Sequence, residues 1–208
     1  MAYDRSVFVN CPFDDHYLPL LRPLLFTVIY LGLSPRIALE RVDSGESRLN
    51  KIVELIGESK YSIHDLSRSQ AGEAGELYRL NMPFELGIDY GSRVLGAGRL
   101  RQKVTLVLES QPHRYKATIS DLSGVDIQCH YSEPYKVIGV VRNWLRAQSF
   151  PNAPGPAKIE AAFTQFMADD YDALTTQGFS AEDIKAITTD ELIARMGRWV
   201  TAGGGRDG

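Results

Sequence analysis

The stretch from Tyr61 to Gly91, YSIHDLSRSQAGEAGELYRLNMPFELGIDYG, carries two carboxylates in different local settings. A short β-favouring run delivers Asp65, and after a polar loop a new helix delivers Glu85. One carboxylate at a strand end and another in the first turn of the next helix are suited to holding a sugar and stabilising positive charge that forms on it. Pro83 at the first helical position makes Met82 the cap and Glu85 the third helical residue. A carboxylate there favours the helix dipole by about 0.3–1 kcal/mol, which alone accounts for a glutamate. The same setting predicts that Glu85 stays ionised, as a nucleophile or an anionic partner of an oxocarbenium ion, and is a poor general acid. Asp65 has a structural alternative as a cap or loop hydrogen-bonder; in a functional role it holds ribose hydroxyls or serves as the second catalytic carboxylate beside Glu85.

The flanking elements must position this pair. RSVFVN (5–10) reads as a buried strand, and CPFDD ends it. Leu20, Leu21, Leu24, Leu25 and Val28 recur at helical spacing, with Pro23 in the first turn or at a bend. LSPRIALE reads as a second strand ending near Glu40. Asp43 with Glu46 reads as a capping box before a helix whose apolar face is Leu49, Ile52, Val53 and Ile56. The strand KYSIHDLS then leads to Asp65, and the loop from Ser67 to Leu77 reads as a mobile connection. The Glu85 helix, from about Pro83 to Val94, returns the chain to KVTLVLE at 103–109. A turn around Asp121, a brief strand at Val125–Cys129 and a helix with Val137, Ile138, Val141, Trp144 and Leu145 on one face complete the unit. Strands alternating with helices predict an α/β unit with five parallel strands covered on both faces. That unit spans 1–148, a Pro-rich linker 149–156, a helical extension 157–201 and a disordered tail 202–208. The extension is expected to dock on the domain or on a neighbouring copy.

In such a sheet, ligands bind outside the carboxyl ends of the strands, where the strand order reverses. Asn10, Pro12 and Phe13 end the first strand, Glu40 and Arg41 the second, and Asp65, Ser67 and Arg68 the third. With Asn81 and Met82 before Glu85, these strand ends are the candidate pocket, and Phe13 is a candidate aromatic wall for a base. Other site types fit less well. Cys11 with His16 suggests a thiol and a base, but nothing sets them face to face. His64, His113 and His130 show no zinc spacing, so no metal is expected. LGAGRLRQ lacks a dinucleotide or phosphate-loop pattern. A formal net charge of −3 supplies no field for nucleic acid, and the Arg93–Lys103 cluster reads as a solvated helix end. The two cysteines suggest no disulfide framework, the amino terminus shows no secretory signal, and the most apolar run, Leu24–Leu33, is too short to span a bilayer. A cytoplasmic location is the expectation.

Together VFVNCPFDD, IHDLSR and NMPFELGIDYG resemble the nucleoside 2-deoxyribosyltransferase-like and Toll/interleukin-1 receptor (TIR)-like superfamily, in its bacterial members. The resemblance covers about residues 5–147. It implies a flavodoxin-like sheet and a catalytic glutamate on the helix after the third strand, matched by Glu85, with Asp65 at the acidic strand-end position. The sequence departs from the transferase Gly-Pro after the first strand, having Asn10-Cys11-Pro12-Phe13. It also departs from the Ser-x-Trp-Cys-x-x-Glu-like context of TIR domains, having Arg79-Leu80-Asn81-Met82-Pro83-Phe84.

The resemblance implies N-glycosidic bond cleavage or transfer, with NAD or a related nucleotide as substrate and no separate cofactor, in a bacterial stress or antiphage role. Related domains include inactive adaptors, so a non-catalytic nucleotide-binding or assembly module is the alternative. A homo-oligomer through the helical extension and a separate effector protein are the expected partners.

Overall fold

A computed structural model describes residues 2–41, 43–68, 80–117, 119–148 and 150–205. Five parallel strands form one sheet: β1 (Ser6–Asn10), β2 (Ser34–Arg36), β3 (Tyr61–Asp65), β4 (Val104–Glu109) and β5 (Gln128–Cys129), in the order β2-β1-β3-β4-β5. This is the flavodoxin-like order, and its direction reverses between β1 and β3, the place beyond the strand ends where sheets of this kind bind ligands. β1 and β3 are buried at every position because helices cover both faces. Side-chain alternation sends Val7, Val9 and Ile63 to one face and Phe8, Asn10, Ser62 and His64 to the other.

On the first face lie α1 (Leu18–Tyr30) and α4 (Pro134–Ala147); on the second lie α2 (Arg48–Gly57) and α3 (Asn81–Leu95). α1 accepts Pro23 in its interior and ends at Gly32, whose φ of +80° permits the reversal. There Gly32 N–H bonds the Ile29 carbonyl and Leu33 N–H the Val28 carbonyl, a Schellman pattern.

Several local expectations are corrected. β2 stops at Arg36, because Glu40 folds back to accept from Arg36 Nε and Nη2 instead of extending the strand. Ser47, not Asp43, caps α2; Asp43 instead accepts from Gly45 N–H at 2.8 Å. The buried face of α2 is Lys51, Ile52, Leu55 and Ile56, leaving Leu49 and Val53 exposed. The last strand shortens to Gln128–Cys129. Lys103, expected on a solvated helix end, is 2% exposed and ion-paired with Asp89.

The extension forms α5 (Pro156–Thr176), α6 (Ala181–Lys185) and α7 (Thr189–Thr201) and docks on its own chain. Ile159, Phe166, Met196 and Val200 join the same core cluster as α1 and α4. Phe26 lies against Phe163, Phe166 and Trp199, with ring centroids 5.4–5.9 Å apart. α1 is therefore covered by the sheet on one side and by α5 and α7 on the other, which explains why its sequence is apolar nearly all round. Residues 202–205, expected to be disordered, turn back so that Tyr30 Oη donates to the Gly205 carbonyl at 2.7 Å. No helix among the described residues is long and apolar enough to cross a membrane.

Candidate functional site

The carboxyl edge of the sheet separates the two carboxylates. Asp65 ends β3 on the α1/α4 face and is fully enclosed. Its Oδ1 accepts from Ser67 N–H at 2.7 Å, its Oδ2 from Tyr17 Oη at 2.5 Å, and His130 Nε2 stands 3.0 Å from Oδ2. Ser132 N–H donates to His130 Nδ1 at 2.9 Å, which leaves Nε2 to carry the hydrogen that faces Asp65. Burial pushes the Asp65 carboxyl up, but His130 and the bonds from Ser67 and Tyr17 outweigh it, so it titrates below the usual range. The Tyr17 hydroxyl is held well above its ordinary value by burial and by the Asp65 charge. Asp65 thus ties the starts of α1 and α4 to the end of β3, with both oxygens occupied.

Glu85 reaches the edge from the other face. α3 begins at Asn81 behind Leu80, so Glu85 is its fifth residue and not its third. Pro83 permits this earlier start, because the first four N–H groups of a helix lack intrahelical acceptors in any case. One turn inside, Glu85 is beyond most of the dipole effect. It is 5% exposed, and burial raises its pKa, partly offset by the Arg48 guanidinium at the start of α2. The expected helix-start effect on Glu85 is therefore corrected: burial raises its pKa where the helix start was expected to favour the charged form. Among the described residues no hydrogen bond or ion pair holds its carboxylate, in contrast to Asp65.

A buried hydrogen-bond chain fixes the helix that carries Glu85. Asn10 Nδ2 donates to the Met82 carbonyl at 3.0 Å and lies 2.9 Å from His64 Nδ1. With Asn10 as donor, His64 Nδ1 accepts, and Nε2 carries the hydrogen toward Asp89 Oδ2 at 3.1 Å. Asp89 also accepts from Ser62 at 2.5 Å and Thr105 at 3.2 Å, and pairs with Lys103 Nζ at 3.0 Å. Burial raises Asp89, but His64, Lys103 and Ser62 together hold it far below the usual carboxylate range.

Cys11 directly follows β1 and is buried in the core cluster of the α1/α4 face. Its thiol is pushed well up by burial and then by the charges of Asp65, Glu85 and Asp14. His16 is exposed while Cys11 is fully buried, and the thiol–base arrangement has no geometry to support it.

The remaining candidates divide. Met82 is buried against Leu66, Leu86, Val107 and Tyr115, and it meets Asn10 through its carbonyl. Pro12 is buried, and half-buried Phe13 packs on the core of the α1/α4 face instead of standing free as a wall. Half-buried Ser67 gives its N–H to Asp65 and its carbonyl to Arg114. Arg68 stands 3.9 Å from Asp14, and Asn81 is exposed. From residue 69 to 79 the connection expected to be mobile lies outside the described residues.

Sequence reasoning missed Tyr17, His130, His64, Asp89 and Arg48. His130 directly follows β5, so the strand-end rule applied to the first three strands would have selected it. Among the described residues no group of three or more His, Cys, Asp or Glu could hold a metal ion. Comparison with protein-family models gives no match, and neither curated proteins nor solved structures yield one.

Proposed function

We propose that the chain breaks or transfers the N-glycosidic bond of NAD or a related nucleotide, with Glu85 as the catalytic carboxylate. The supporting observation is the setting of Glu85: it stands at the strand-order reversal, 5% exposed, with no hydrogen bond from any described group. A carboxylate without a partner among the described residues is available to a ligand, and a poorly solvated one stabilises nearby positive charge more strongly than in water. As the base leaves with the electron pair of the C–N bond, positive charge develops on C1′ and the ring oxygen of the ribose. Glu85 stabilises or attacks that centre, and water or an acceptor base completes hydrolysis, cyclisation or transfer.

Asp65 is assigned a positioning role, since its oxygens are occupied by Tyr17, Ser67 and His130. Asn10 positions α3 through the Met82 carbonyl. The non-catalytic module remains the second reading, favoured by the complete internal engagement of Asp65.

Incubation of the protein with NAD, and separately with deoxynucleosides, followed by chromatography tests the proposal. The expected outcome is release of free base, lowered about 10²–10³-fold in Glu85→Gln. No base release from wild type, or equal release by the folded variant, refutes the enzymatic reading.

A further inference from the structure

A helix on a protein surface ordinarily turns its charges outward. α3 does the reverse. It buries Met82, Glu85, Leu86 and Asp89, while the line opposite them runs through Phe84, Gly87, Gly91, Val94 and Leu95. No charged residue lies on that line, and Phe84, Val94 and Leu95 are 58%, 52% and 86% exposed. A helix whose outward line carries large exposed apolar residues and no charge is one that something covers.

Gly87 and Gly91 supply a separate observation. Neither adopts positive φ, and a Cβ placed on either meets nothing within 4 Å. Among the described residues nothing therefore requires glycine at these positions, although each weakens the helix by about 1 kcal/mol relative to alanine. Single glycines in α4 and α7 also have open space around them, but α3 stacks two on one line, a turn apart. Close approach of a second backbone is what such a pair permits, bringing helix axes nearer than the roughly 8–10 Å usual between helices.

The order along the line selects the occupant. Large residues at 84 and at 94–95 flank glycines at 87 and 91, and the pattern is symmetric about residue 89. A two-fold axis beside that residue sets Gly87 against Gly91 of a second copy, and Phe84 against Val94 and Leu95 of that copy. Two crossing helices are closest at the centre and diverge outward, so small residues belong at the crossing and bulky ones at its ends. An isologous contact needs a self-complementary patch of this kind. The absence of charge on the line also avoids like-charge repulsion between two copies of a chain whose net charge is −3.

We propose that α3 is the interface of an antiparallel two-fold dimer of this chain. α3 has 15 residues, about 22 Å of helix. A contact of that length lies at or below the low end of the roughly 1,200–2,000 Å² buried in stable interfaces, so the dimer exchanges with monomer at micromolar concentration.

Sedimentation velocity over roughly 1–100 μM tests the proposal. Wild type is expected to shift from monomer to dimer, and Phe84→Lys or Leu95→Glu to weaken the dimer at least about tenfold with unchanged circular dichroism. The Gly87→Ala/Gly91→Ala double variant is expected to melt higher as dilute monomer yet dimerise more weakly, opposite changes that a folding defect does not produce. Mixed Gly87→Cys and Gly91→Cys chains are expected to cross-link to each other in preference to themselves, whereas a parallel contact reverses that preference. Wild type that stays monomeric throughout, or variants that dimerise as wild type does, overturn the proposal and leave the α3 line to a different protein.

Discussion

Burial pushes both Glu85 and Asp65 up, but the partners of Asp65 reverse its shift, so their titrations should separate them. Glu85 has a raised folded pKa, so it favours the folded state most below its unfolded pKa and loses that contribution as pH rises through the folded one. Glu85→Gln is therefore expected to melt higher than wild type near neutral pH, with the gain shrinking on acidification, as followed by circular dichroism. Base release should fall off in acid at a pH above that of an ordinary carboxylate, because the ionised form is the one that stabilises the cation. Asp65 has a lowered folded pKa, so its stabilisation is present above the unfolded value and lost as pH falls through the folded one. Asp65→Asn is expected to cost about 3 kcal/mol at neutral pH in urea denaturation and progressively less in acid. The choice of Asp65 and Glu85 as notable carboxylates was legible from their places at a strand end and near a helix start. Their separation to opposite faces was not, because which face a strand's last side chain takes depends on the register of all its neighbours.

Between β3, β4 and α3, the Asp89–Lys103 pair and His64 form a polar core layer. Burial lowers the Lys103 pKa, and the Asp89 charge opposes that shift. Lys103 Nζ also donates to the Ile56 carbonyl at 2.7 Å and the Ser59 carbonyl at 2.5 Å, so one ammonium joins α2, α3 and β4. Lys103→Met is expected to lower stability by about 3–5 kcal/mol, since Asp89 is left charged without its partner, whereas Asp89→Asn/Lys103→Met loses less. A urea-denaturation double-mutant cycle measures this coupling. The pattern of strands and helices was readable because apolar periodicity survives tertiary packing. The Lys103 pair was not, since a lysine beside Arg99 and Arg101 is indistinguishable in sequence from a solvated one until the start of β4 is placed. The cap of α2 failed for a similar reason: Asp43 and Ser47 both offer a side-chain acceptor, and only the path of the chain selects Ser47.

Across the whole molecule, the domain and its extension share one core cluster, although the SFPNAPGP segment reads as a boundary. Prolines and glycine mark a turn in the chain; they do not make the helices beyond it independent. Phe166→Ala, in the extension, is expected to destabilise the chain by about 3–5 kcal/mol in a single transition and not to melt a separate unit; calorimetry distinguishes the two. The coverage of α1 also has a consequence in time. Residues 18–30 leave the ribosome long before residues 156–201, which cover their outer side. At synthesis rates of about 5–20 residues per second, that apolar surface waits on the order of 10–30 s for its cover. Through that interval the nascent chain carries an adhesive helix, and the yield of folded protein should depend on how quickly translation proceeds beyond the α/β unit.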